Sequence, residues 1–123
     1  GLVAAASRVA DAHLVVGRVD ADSHAVLKDI ADRVRARLKP SLLVVASVID
    51  GRPSFLVAAT PDLVARGVHA GNLVREMAKA AGGGGGGRPD LATAGAKDAS
   101  RVEEALATGR RLATEALEQA GPG

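Results

Sequence analysis

The residues able to do chemistry in this chain gather between positions 75 and 98. Gly82, Gly83, Gly84, Gly85, Gly86 and Gly87 follow one another without interruption, and Arg88, Pro89 and Asp90 come directly after them. Arg75 and Lys79 precede the run and Lys97 follows it. A stretch without side chains acts only through its backbone, by offering N–H donors to phosphate or ribose oxygens and by letting another backbone approach closely. Arg88 adds a guanidinium suited to a bidentate, charge-assisted contact. Asp90 is placed to orient it. Composition leaves three roles open for the glycines: a backbone docking surface, a mobile surface loop, or slack between domains. The last is the weakest, because only about thirty residues follow, too few for another domain.

Other chemistries fail on the residues. A Walker loop needs Lys-Ser or Lys-Thr after its glycines, and Arg88-Pro89 stands there instead. The dinucleotide fingerprint needs a strand before the glycines, whereas the pattern here predicts a helix. His13, His24 and His69 are scattered, cysteine is absent, and no metal site or catalytic residue is expected. His69 reads as a turn or cap residue. Phe55 is the only aromatic residue, and the strand pattern buries it, so no platform for stacking unpaired bases exists. Any nucleic acid would be read by shape and backbone, which favours a folded RNA.

Around this stretch the hydrophobic pattern predicts a single α/β domain with a mixed β-sheet flanked by α-helices. Leu2, Val3, Ala6, Val9 and Ala10 fall at near-helical spacing, so residues 1–12 are expected to be the tail of a preceding helical region, with the domain proper over 13–123. Residues 14–19 are a short β-branched strand, after which Asp22 or Ser23 caps a helix reaching about Leu38. Leu27, Ala31, Val34 and Leu38 make its apolar stripe. Arg33, Arg35, Arg37 and Lys39 crowd its end, a solvated face with local pairs such as Asp29 with Arg33, or a phosphate-facing patch. Residues 42–49 read as a central strand and, with the Asp50-Gly51 turn, form a hairpin with residues 55–59. The strand at 14–19 and that at 42–49 should be parallel, joined through the helix.

Thr60 and Pro61 signal a short helix that stops at Gly67. A second helix is expected over residues 70–81, a short edge strand over 91–94, and a final helix over 100–119 opened by a Ser100 to Glu103 capping box. Gly121, Pro122 and Gly123 read as a frayed end.

The bulk composition limits function without choosing it. The chain has 123 residues, 47% of them hydrophobic, enough for an aliphatic core without disulfides. Its formal charge of +2 permits nucleic-acid binding without requiring it. No apolar run approaches a membrane span, so a soluble, cytoplasmic protein with no membrane partner is expected. The chain opens on Gly1 rather than Met and reads as a fragment of a longer protein.

The string Ala70-Gly71-Asn72-Leu73, the glycine run, and Arg88-Pro89-Asp90-Leu91-Ala92-Thr93-Ala94-Gly95-Ala96-Lys97-Asp98 together resemble the glycine-rich signature of the C-terminal domain of the alanyl-tRNA synthetase family, within the wider DHH-associated family. The likeness extends over nearly the whole chain. Phosphoesterase members follow the glycines with a His, and Arg88-Pro89-Asp90 replaces it here. Ala96 stands where many relatives have a further glycine. The resemblance implies a module that docks on the elbow of an alanine-acceptor tRNA through a glycine-rich loop and supports aminoacylation and editing by other domains. It implies tRNA contact by the six glycines, Arg88 and Asp90, with Lys97, Lys79 and Arg75 as weaker contributors. It also implies homodimer formation in some members, through a helical part preceding the domain. ATP, magnesium and zinc would belong to other domains, leaving this one without a cofactor. The alternatives are a dimerisation module of the same enzyme and a nucleotide-clamping accessory domain of a DHH phosphoesterase.

Overall fold

The computed structural model describes residues 2–121, with residues 2–5 described by backbone alone. Its elements are β1 (Leu2–Val9), β2 (Ala12–Val19), α1 (His24–Arg37), β3 (Ser41–Ile49), β4 (Arg52–Ala59), α2 (Pro61–Ala65), α3 (Ala70–Ala80), β5 (Gly84–Gly87), β6 (Leu91–Gly95) and α4 (Val102–Ala120), the last preceded by a 3-10 turn over Ala99–Arg101. The six strands form one mixed sheet in the order β1-β2-β3-β4-β6-β5. The domain is therefore α/β, as the patterning predicts.

Side-chain alternation distributes the core between the two faces of that sheet. On one face Val15, Leu43, Val45, Leu56 and Ala58 pack against Leu27 and Ala31 of α1, with Val34 and Leu38 at the margin. The expected stripe of α1 is this contact. On the other face Leu42, Val44, Phe55 and Val57 meet Leu73, Val74 and Met77 of α3 and Val102, Ala105, Ala113 and Leu117 of α4. Gly109 lets α4 come close, since a Cβ there would lie 2.8 Å from both Met77 Sδ and Val44 Cγ1.

The connections follow their turn chemistry. Ser23 Oγ accepts from the Val26 N–H at 3.2 Å and caps α1. β2 and β3 are parallel and joined through α1. β3 and β4 form the expected hairpin, with Asp50 and Gly51 at φ of 52° and 77°, the primed geometry that matches strand twist. At the end of α1, Arg33 bonds Asp29 at 2.9 Å and Arg35 bonds Asp32 at 2.8 Å, so local pairing accounts for these two cations.

Four local expectations are corrected. The segment expected to be a helix tail is strand β1, paired from Leu2↔Val19 to Val9↔Ala12 in a hairpin with β2. Its Ala, Leu and Arg residues lean toward helix, and the ladder with β2 overrides both that propensity and the helical spacing. Residues 2–9 therefore do not provide a helical dimer stalk. Thr60 does not cap α2 with its side chain; Thr60 Oγ1 turns inward and accepts from the Ser41 N–H at 3.0 Å. The capping box at Ser100 does not form either: Asp98 accepts from Ser100 Oγ at 2.5 Å and from the Ser100 N–H at 3.0 Å. These two bonds, with the Arg101 guanidinium nearby, hold the Asp98 carboxyl below its usual pKa. Finally, the strand at Leu91–Gly95 is not the sheet edge, because the glycines themselves form a strand outside it. The end expected to fray passes outside the described residues at Pro122.

Candidate nucleic-acid interface

The glycine run begins as a helix stop and continues as a strand. The Gly82 N–H bonds the Lys79 carbonyl at 3.2 Å and the Gly83 N–H bonds the Ala78 carbonyl at 2.7 Å. With Gly82 at φ 78°, this is a Schellman motif closing α3. Gly84, Gly85, Gly86 and Gly87 then pair with Gly95, Ala94, Thr93 and Ala92 as the outermost strand. The expectation of a loop is thus corrected for these four residues. Glycine is a poor strand former, but two neighbours pack tightly against this segment, and one of them requires glycine in it.

The first neighbour is β6. A Cβ on Gly83 would meet the Gly95 carbonyl and lie 2.5 Å from Ala96 Cα. On Gly85 it would lie 2.6 Å from Ala94 Cβ, and on Gly87 2.9 Å from Ala92 Cβ. The second neighbour is the start of α3. The Gly71 N–H donates to the Arg88 carbonyl at 3.1 Å and the Ala70 N–H to the Pro89 carbonyl at 2.8 Å. A Cβ on Gly71 would collide with the Gly87 carbonyl. Internal packing therefore accounts for glycine at Gly83, Gly85 and Gly87, and the helix stop accounts for Gly82.

Gly84 and Gly86 are different. A Cβ on Gly84 would have nothing within 4 Å, and one on Gly86 would come no nearer than 3.4 Å, to an Arg75 guanidinium nitrogen. Nothing inside the domain requires glycine at these two positions.

The charged candidates divide around the strand. Arg88 is exposed and its Nε lies 3.2 Å from Asp90 Oδ1, an ion pair that restricts the guanidinium. The Asp90 backbone is held in turn, its carbonyl accepting from the Ala59 N–H at 2.8 Å and from Arg35 at 3.3 Å. Lys97 lines a hollow with Gly82, Gly83 and Gly84, whereas Arg88 lines a second one with Gly86 and Gly87. Arg75 reaches over Gly86 from α3. Lys79, on the same helix, pairs with Glu76 at 3.0 Å and lines neither hollow.

Three further residues share the hollows and escape sequence reasoning: His24 and Lys28 from the first turns of α1, and Arg52 from the β3–β4 hairpin. Only the strand order brings them beside the glycines. Gly71 escapes too, although a glycine inside a helical pattern is a sign of close approach. His69 is the cap that its position suggests, with Nδ1 accepting from the Asn72 N–H at 3.1 Å. Among the described residues no group of three or more His, Asp or Glu converges as metal ligands. No helix there is long and apolar enough to cross a membrane.

Comparison with known proteins gives this arrangement a context. The DHHA1 domain family matches residues 11–115. The chain is 40% identical over 106 residues to an alanine–tRNA ligase of Roseiflexus sp. (strain RS-1), covering 86% of this chain and 12% of that protein. It is 46% identical over 89 residues to an alanine–tRNA ligase of Myxococcus xanthus (strain DK1622), covering 72% and 10%. In three dimensions it resembles the C-Ala domain of Aquifex aeolicus alanyl-tRNA synthetase, with a TM-score of 0.75 and 30% identity over 92% of this chain and 97% of that one.

Proposed function

The chain belongs to the DHHA1 domain family, as a counterpart of the C-Ala domain of alanyl-tRNA synthetase, and from that premise we propose that it docks on folded tRNA through its glycine strand. The observation that carries this is the pair Gly84 and Gly86, exposed or half-exposed on an edge strand and free of any internal reason to be glycine. A side chain at either position would hold another backbone several ångströms away; glycine removes that obstacle. Arg88, oriented by Asp90, meets a phosphate beside the strand, with Lys97 and Arg75 as flanking cations. Lys79 contributes least, being committed to Glu76. The partner is an alanine-acceptor tRNA, approached at its elbow, in the cytoplasm.

Aminoacylation and editing, with their ATP, magnesium and zinc, are assigned to other domains of a longer chain, of which this one corresponds to 12% in the Roseiflexus relative. The phosphoesterase reading is less favoured because Arg88-Pro89-Asp90 replaces the His of that branch. No observation on the described residues favours a dimerisation module.

Equilibrium binding to an alanine-acceptor tRNA transcript tests the proposal. Arg88→Ala should weaken binding by about 1–3 kcal/mol, the range for a charge-assisted contact. Gly84→Val should weaken it while leaving the thermal melt of the protein in place. Unchanged affinity in both variants would remove the glycine strand from the interface.

A further inference from the structure

We propose that the sheet face beside α1, where it runs out over β6 and β5, is a phosphate-binding groove that carries the backbone of the docked RNA past the glycine edge. This inference rests on the tRNA reading above and adds to it the face of approach and residues that sequence did not indicate.

The topology leaves this face uncovered. α1 packs over β3 and β4 through Leu27 and Ala31. No helix follows on that side of β6, and Thr93 and Gly95, which alternation directs there, are exposed while Ala92 and Ala94 are buried beneath α3. Two hollows occupy the space, of about 760 and 440 Å3, and they adjoin because His24 lines both. His24 is held beside the sheet by a 3.3 Å contact between Nε2 and Ser54 Oγ.

The charge of the groove is one-sided. Arg52 and Lys97 border the larger hollow, and Lys28 and Arg88 the smaller. Asp50 is the one acidic residue lining either. Arg52, Lys97 and Lys28 have no carboxylate oxygen within 4.0 Å among the described residues, and Arg88 pairs with Asp90 at 3.2 Å. Cations left unneutralised around a concavity concentrate positive potential there. Gly84 lines the larger hollow and Gly86 and Gly87 the smaller, and none of the three puts a side chain of its own in the way of a sugar–phosphate chain. A polyanion with regularly spaced charges and little need for stacking fits such a groove, and RNA backbone has those properties.

The test is a salt series of tRNA binding by the intact chain, with variants matched for charge. Lys28→Gln combined with Arg52→Gln removes two groove cations. Arg18→Gln combined with Arg110→Gln removes two from a hollow on the α4 face, where no carboxylate is within 4.0 Å of either among the described residues. All four side chains are exposed, so the fold should survive, and circular dichroism melts check this. Each lost phosphate contact lowers the slope of log K against log salt by about 1. The groove pair should therefore lower it by about 2 and the α4-face pair should leave it unchanged. If the groove pair keeps the wild-type slope while Arg88→Ala still weakens binding, the groove is wrong and the glycine-edge docking stands. Equal losses in both pairs would show a bulk charge effect and overturn the groove. Absence of binding by the wild-type chain would overturn both proposals.

Discussion

At the scale of single residues, the glycines that follow the Gly82 helix stop divide into two kinds. Gly83, Gly85 and Gly87 have their Cα atoms against the backbone or methyl groups of β6, where a Cβ would sit 2.9 Å or less from its neighbour. Gly84 has open space. Gly83→Ala is therefore expected to destabilise the fold by about 1–3 kcal/mol through overpacking, whereas Gly84→Ala should lie within about 0.5 kcal/mol of wild type, as ordinary surface substitutions do. Denaturant unfolding of the two variants decides the matter, and equal stabilities would refute the division. The alternation was invisible in the sequence. A run of identical residues has no pattern, and only the alanines of β6 show which members face a neighbour. Arg88 and Asp90 were legible as a pair because they lie two positions apart, within direct reach. Lys28 and Arg52 were not, since their proximity to the glycines depends on β4 pairing with β6.

At the scale of elements, helix α3 organises the region. Its first turn is bonded to the Arg88 and Pro89 carbonyls, its last turn is closed by Gly82 and Gly83, and its apolar face is pressed against α4. Glycines make both tight approaches, Gly71 toward β5 and Gly109 toward α3. Replacing Gly109 by Ala puts a methyl group 2.8 Å from Met77 Sδ and Val44 Cγ1. Met77 is flexible and yields in part, but β3 is central to the sheet and does not. The expected loss is about 1–3 kcal/mol, read by chemical denaturation; a variant as stable as wild type would mean that the α3–α4 contact is looser than the structure shows. Helices α1, α3 and α4 were legible from their apolar stripes, which are local. β1 is the exception to its helical spacing, because a strand with three Ala among its eight residues owes its conformation to its partner β2.

For the molecule as a whole, Arg66 ties together three distant parts of the chain. Its guanidinium bonds Asp11 in the β1–β2 turn at 3.0 Å and the Gly121 carbonyl beyond α4 at 2.7 Å, and it lies 3.7 Å from Asp62 in α2. The side chain is only 18% exposed, so these bonds are shielded from water. Arg66→Ala should lower stability by about 1–3 kcal/mol, the range for hydrogen bonds to a charged group, and hydrogen exchange should accelerate at the end of α4. An unchanged exchange pattern there would show that the clasp has no structural role. Sequence by itself determined the α/β class, the parallel β2–β3 crossover, the β3–β4 hairpin, the amphipathic helices and the glycine run as the place to look. Each is set by propensity, periodicity or turn chemistry acting over a few residues. Only the tertiary structure decided that the glycines form the outer strand, which two of them are free to meet another backbone, and which cations stand beside them. Those outcomes depend on strand order, and strand order is selected by burial and backbone pairing between segments far apart in the chain.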